Sequence, residues 1–121
     1  MKNASREGGA RVRVLDVAHP PLRPDAVEDL LMREWGIVRN SAQWRVIKVI
    51  HGYGSSGRGG STRDTVRNWS SRMRGKILAV IAGEDYSMFH PESQAMRRAV
   101  GAVDDSELDA GNKGITYLWV R

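Results

Sequence analysis

Apolar positions along the chain fall into four short strand-like runs and two clear helical stretches. Residues 12–17 are mostly apolar and predict a short first strand that ends at Asp16. Prolines at 20, 21 and 24 follow, and proline fixes φ and removes a donor, so the strand cannot continue. Pro24 suits the first position of a helix, with Asp25 and Glu28 in its first turn. Ala26, Val27, Leu30, Leu31, Trp35 and Val38 then recur at helical spacing and predict a helix over 24–40. Gly36 inside it costs about 1 kcal/mol relative to alanine and marks the point where it would break. Residues 44–50 predict a buried second strand, because Val46, Ile47, Val49 and Ile50 are β-branched and only Lys48 interrupts them. A second helix is expected over 62–73, where Val66, Trp69 and Met73 form one narrow stripe. Trp69 is assigned to the core rather than to a stacking platform. Residues 76–82 read as a third strand and 114–120 as a last one. The long connection from Gly83 is expected to contain a short helix over 92–100, since connections of that length rarely lack structure.

The order is β-α-β-α-β-(α)-β. Strands joined by helices are usually parallel neighbours with right-handed crossovers. Two crossovers of one hand place both main helices on one face, which predicts an α/β two-layer sandwich. Ligands of such sheets sit beyond the carboxyl ends of the parallel strands. Asp16 and His19 follow the first strand, His51 the second, and Glu84 and Asp85 the third, so all are expected along one edge.

Length and charge narrow the picture. With 121 residues the chain has room for one domain, over 12–121, behind a flexible tail at 1–11. No run approaches the roughly 18 apolar residues of a membrane span. The first nine residues carry no apolar segment, so no secretory signal is expected. There is no cysteine, which excludes disulfides and thiolate metal sites and suits a cytoplasmic protein. The net charge is +5, and all of it lies between His51 and Lys76. Arg58, Arg63, Arg67, Arg72, Arg74 and Lys76 stand there against Asp64 alone. A balanced chain with one basic segment points to a polyanion, most often nucleic acid, although a solvated helix face is the plain alternative.

The same segment opens with a glycine-rich loop. Five of the nine residues from Gly52 to Gly60 are glycine. Glycine lets backbone N–H groups turn inward and approach an anion closely. Ser61 with Asp64 three residues later is a capping-box signal for a helix start. Strand, loop and helix N-terminus together make an expected phosphate site at Gly52, Tyr53, Gly54, Gly57, Arg58 and Gly59. The alternative is an ordinary surface turn.

Two spaced motifs in this topology make the chain resemble the Smr domain, the small MutS-related family. The family's His-Gly-x-Gly, after an apolar strand, stands here as His51-Gly52-Tyr53-Gly54. Its Leu-Asp-x-His at the end of the first strand reads Leu15-Asp16-Val17-Ala18-His19, with the histidine one residue late. Gly114-Ile-Thr-Tyr-Leu is similar to the family's closing Gly-x-Thr strand. The resemblance covers roughly 12–121. It implies a fold like the C-terminal domain of bacterial translation initiation factor three: a mixed four-stranded sheet, two helices on one face, and the last strand antiparallel. It also implies DNA or RNA binding and, in some members, endonuclease or nicking activity, a hydrolase reaction. Ala18 bears on cleavage more than on binding. Either the Pro-Pro loop restores His19 to the family position, or the first-motif function is lost.

Candidate roles follow. His51 could move a proton on a phosphodiester, donate to a phosphate, or cap the strand structurally. Asp16 reads as a partner that orients a histidine or accepts loop N–H groups, more than as a metal ligand. His19 is the second candidate proton carrier. Arg63, Arg67 and Arg74 fall within about 40° of each other on a helical wheel and form a phosphate stripe. Tyr53 could stack on an unpaired base. His90 and the acidic patch at 104–109 read as surface without a role. No cofactor is expected; Mg2+ is the one ion considered, and no dense carboxylate cluster supports a fixed metal. A non-catalytic module docking on the ribosome or on a larger repair or translation protein shares every feature except catalysis. A nucleotide-binding enzyme is the weaker reading. Gly52-x-Gly54-x-x-Gly57 matches the dinucleotide fingerprint, but its acidic residue is missing, and a P-loop would lack its lysine.

Overall fold

The computed structural model describes residues 11–53 and 58–121, with backbone only at 58–60. The expected tail, apart from Arg11, and the loop glycines Gly54 and Gly57 lie outside the described residues.

Four strands, β1 (Val12–Asp16), β2 (Val46–Ile50), β3 (Ala79–Ala82) and β4 (Ile115–Trp119), form one mixed sheet. Three α-helices accompany them: α1 (Pro24–Arg39), α2 (Arg58–Arg72) and α3 (Pro91–Val100). The α/β class and the element order are those the sequence pattern implies. The strand order is β1-β2-β4-β3. β1 and β2 are parallel, with Asp16 opposite Ile50, and β4 is antiparallel to both of its neighbours. β3 is therefore not the neighbour of β2 that simple crossovers suggest. The final strand enters between them, because 115–118 are apolar enough to be buried on both faces of a central position. β3 nevertheless runs in the same direction as β1 and β2, so their carboxyl ends share one edge.

Each face of the sheet carries its own core. On one, Val27, Leu31 and Val38 of α1 and Val66 and Trp69 of α2 pack on Leu15, Ile47, Val49 and Leu118. Trp69 belongs to this core, as its spacing indicated. Arg13 of β1 also reaches Glu34 of α1, a buried carboxylate, and ties this helix layer to the sheet edge.

The opposite face is covered too, which corrects the two-layer expectation. Met96 and Val100 of α3, with Tyr86 and Val103, pack on Val12, Val46, Ile81 and Tyr117. Tyr86 donates its hydroxyl hydrogen to the Val103 carbonyl, and Arg97 donates to Asp105 at 2.6 Å. These bonds pin the segment after α3 to the sheet. Beneath it, Lys48 Nζ sits 2.9 Å from Asp104 Oδ2, and the Tyr117 hydroxyl donates to the same carboxylate at 2.5 Å. The acidic patch is thus not all surface: Asp104 is 5% exposed and Lys48 is 6% exposed. His90 has a role as well, capping α3 by accepting from Ser93 N.

Element ends shift for local reasons. α1 runs through Gly36 without a break. α2 begins at Arg58, so Ser61 lies inside the helix, and its carbonyl accepts from Thr65 Oγ1; the expected capping box does not form the helix start. β3 starts at Ala79 because 74–76 form a 3-10 turn. At the other end of β3, a Cβ on Gly83 would meet the Asn112 oxygen at 2.2 Å and Ile115 Cγ1 at 2.4 Å. Gly83→Ala must push β3 away from β4, at a cost of about 1–3 kcal/mol. A urea midpoint matching the parent protein would show that this contact is not tight.

Candidate functional site

The carboxyl edge of the sheet gathers the residues that the motifs singled out, in two separate groups. The first is Asp16 with His19. Asp16 Oδ1 accepts from the backbone N–H of Ala18 at 2.8 Å and of His19 at 3.2 Å, closing the turn that leaves β1. Its Oδ2 lies 2.8 Å from His19 Nδ1. A carboxylate there holds the proton on Nδ1 and leaves Nε2 as the lone-pair nitrogen. The His19 side chain is 75% exposed, so that nitrogen is open to a substrate. The histidine that Asp16 orients is therefore His19.

The segment that follows His19 lines a groove of about 300 Å3. Pro21 and Leu22 from the turn and Pro24 and Val27 from α1 supply its apolar lining. Ser61, Thr62 and Thr65 of α2 supply hydroxyl-bearing residues, and Arg23 stands at its rim with an exposed side chain.

The second group is built around His51, and it corrects the role expected of that residue. His51 is fully buried. Its Nδ1 is 2.5 Å from the Gly52 carbonyl, which can only accept, so Nδ1 carries the proton. Nε2 then accepts from the Thr116 hydroxyl at 2.8 Å, and Thr116 Oγ1 accepts from Arg67 Nε at 3.1 Å. Arg67 completes the chain with a two-point bond to Glu84, at 3.0 and 2.8 Å. Hydrogen bonds from Arg67 hold the Glu84 carboxyl below its ordinary value. Burial, reinforced by the charges of Arg67 and Arg63, pushes the His51 pKa down to about 4. A neutral, enclosed imidazole neither reaches a substrate nor exchanges its proton near pH 7. His51 instead joins the end of β2 to β4, α2 and the turn after β3.

This buried state has a measurable consequence. The folded-state pKa lies below the unfolded value near 6.5, so unfolding takes up a proton between them. The stability from neutral His51 is complete above about pH 6.5 and is lost as pH falls to about 4, by about 3 kcal/mol at most. Urea denaturation at pH 7 and pH 4.5 should show this loss in the parent and a smaller one in His51→Gln. Equal losses in the two proteins would assign the acid sensitivity elsewhere.

The remaining candidates divide. The N–H groups of His51 and Gly52 both donate to the Gly114 carbonyl, at 2.9 and 3.0 Å, so Gly52 has no amide free for phosphate. Gly52 has φ 71°, which glycine alone adopts readily. Tyr53 is half-exposed. Arg58 and Gly59 form the first turn of α2. The arginine stripe does not exist as drawn. Arg67 is held by Glu84, Arg74 lies past the helix in the 3-10 turn, and Arg63 stays partly exposed on α2. Arg72, from the same basic segment, pairs with Glu28 of α1 at 2.8 Å. Thr116 is the residue the motifs undervalued; its signal is the threonine of the closing Gly-x-Thr strand.

Among the described residues no group of three or more His, Asp or Glu could hold a metal ion, and no helix is long and apolar enough to cross a membrane. Comparison with known proteins finds no matching family model, curated protein or solved structure.

Proposed function

We propose that this chain is a nucleic-acid-binding domain of the Smr type that cleaves phosphodiesters, with His19 as its proton-transfer residue. The observation that carries this reading is the Asp16–His19 pair, with its ring oriented by the carboxylate and exposed, on a turn whose next residues line a groove. Its order β1-β2-β4-β3, antiparallel last strand and helix pair on one face also support a likeness to the C-terminal domain of bacterial translation initiation factor three. In this reading Asp16 holds the imidazole in one tautomer and Nε2 takes a proton from an attacking water. The water oxygen bonds to phosphorus as the P–O bond to the leaving oxygen breaks, and the leaving oxygen takes its proton from solvent. Arg23, Arg63 and the first turn of α2 draw in the phosphates. His51 supports the edge without touching substrate.

A second reading keeps binding and removes catalysis. Splitting a phosphodiester by acid and base takes two proton carriers, and burial of His51 leaves one histidine at the edge. This favours an interaction module on the ribosome or on a larger repair or translation protein. Incubation with supercoiled plasmid and with structured RNA, with and without Mg2+, separates the two. Nicked or shortened product supports the nuclease; retention of both substrates with steeply salt-dependent binding supports the module. A salt-independent affinity, or none, would remove nucleic acid as the partner.

A further inference from the structure

We propose that a second groove on the same edge, between Tyr53 and the Asn112–Lys113 turn, is a subsite for an unpaired nucleobase, making single-stranded nucleic acid the preferred substrate class. This rests on the nucleic-acid reading above and narrows it. The groove has a volume of about 470 Å3, within the range of small-ligand sites, and is lined by Tyr53, Glu107, Asn112 and Lys113 with Ala110 and Gly111. Tyr53 is 54% exposed, a large aromatic side chain presented to solvent rather than spent in either core.

Its opposite wall is held in place. Asn112 Oδ1 accepts from Gly114 N at 2.8 Å, and its Nδ2 donates to Glu107 Oε1 at 3.2 Å. Glu107 is itself held by Lys48, at 3.6 Å. A rim fixed in this way faces a ring whose π-surface any base can stack on, and Lys113 adds a positive charge for the adjoining phosphate.

The topology aligns this groove with the Asp16–His19 pair. Asp16 and Ile50 are partners across β1 and β2, and Ile50 and Ile115 across β2 and β4. His19 lies three residues past Asp16, Tyr53 three past Ile50, and Lys113 two before Ile115. Neighbouring strands are about 4.8 Å apart, so the strand ends at Asp16 and Ile115, from which the two sites extend, lie roughly 10 Å apart on one edge. A duplex offers only groove edges and phosphates there, because its base faces are already stacked. A single strand can lay one base on Tyr53.

The test is fluorescence anisotropy with a labelled 12-nucleotide strand of mixed sequence, alone and annealed to its complement, as DNA and as RNA, at fixed salt. The parent should bind the single strand at least tenfold tighter than the duplex. Tyr53→Ala should lose about tenfold on the single strand and little on the duplex, Tyr53→Trp should retain binding, and neither should change the salt slope, because no charge is removed. Tyr53 is exposed, so both variants should fold. Equal affinity for the two forms with no effect of Tyr53→Ala overturns the subsite and leaves nucleic-acid binding standing. Absence of binding to either form overturns both.

Discussion

His19→Ala is expected to lower phosphodiester cleavage by about 10²–10⁴-fold, the usual contribution of a positioned general acid or base, and to change nucleic-acid affinity by less than twofold. The side chain is 75% exposed and packs in neither core, so its removal should shift stability by no more than about 0.5 kcal/mol. That separation makes it a cleaner probe than Asp16. The Asp16 carboxylate also accepts from the N–H groups of Ala18 and His19, and its loss would loosen the turn together with the ring. Asp16→Asn retains an acceptor for the turn but no longer favours the proton on Nδ1, and its activity should fall between the parent and His19→Ala. Cleavage undiminished in His19→Ala would transfer the chemistry to a residue outside this pair.

The same pair shows how much of the site was legible in the sequence. Leu15-Asp16 at the end of a strand and a histidine nearby were visible, and so was their place on the edge, because strand direction follows from the order of elements. The partnership was not. Asp16 lies closer in sequence to His19, and the Pro-Pro turn bends His19 back onto it. His51 was misplaced for a related reason. A histidine at the mouth of a glycine loop looks open, but burial depends on what covers it, and Thr116, Arg67 and Glu84 come from three other elements. The arginine stripe failed on a boundary: a helical wheel that includes Arg74 assumes a helix that continues past Arg72, where this one ends. In the fold, helical and strand periodicity located all seven main elements within a few residues. The insertion of β4 between β2 and β3 is a pairing choice that depends on which strand is apolar on both faces, and no single run reveals it. Lys48 was the clearest missed signal. A lysine inside a run of β-branched residues was taken as an interruption, although a buried strand tolerates one only where a counter-charge meets it.

That counter-charge sets the largest expected effect on stability. Lys48→Met should cost about 3–5 kcal/mol, enough to consume much of the stability of a domain this size. The methionine fills similar space, so lost packing is a minor part of the cost. Removing the ammonium leaves the Asp104 carboxylate 5% exposed, with the hydroxyls of Tyr117 at 2.5 Å and Ser106 at 3.4 Å as its remaining donors. Burial and the hydrogen bond to Asp104 raise the Tyr117 pKa, so the phenol keeps its proton and can only donate, which leaves the carboxylate's charge in place. Adding Asp104→Asn to Lys48→Met should recover most of the loss, because no buried charge then lacks a partner. Asparagine also tolerates the left-handed backbone at this position, where φ is 49°. Urea denaturation of the parent, the single variant and the double variant measures how much of the loss is recovered. A single variant within about 1 kcal/mol of the parent would mean that water reaches Asp104, and that the second face of the sheet is held by Tyr86, Met96 and their apolar neighbours rather than by this ion pair.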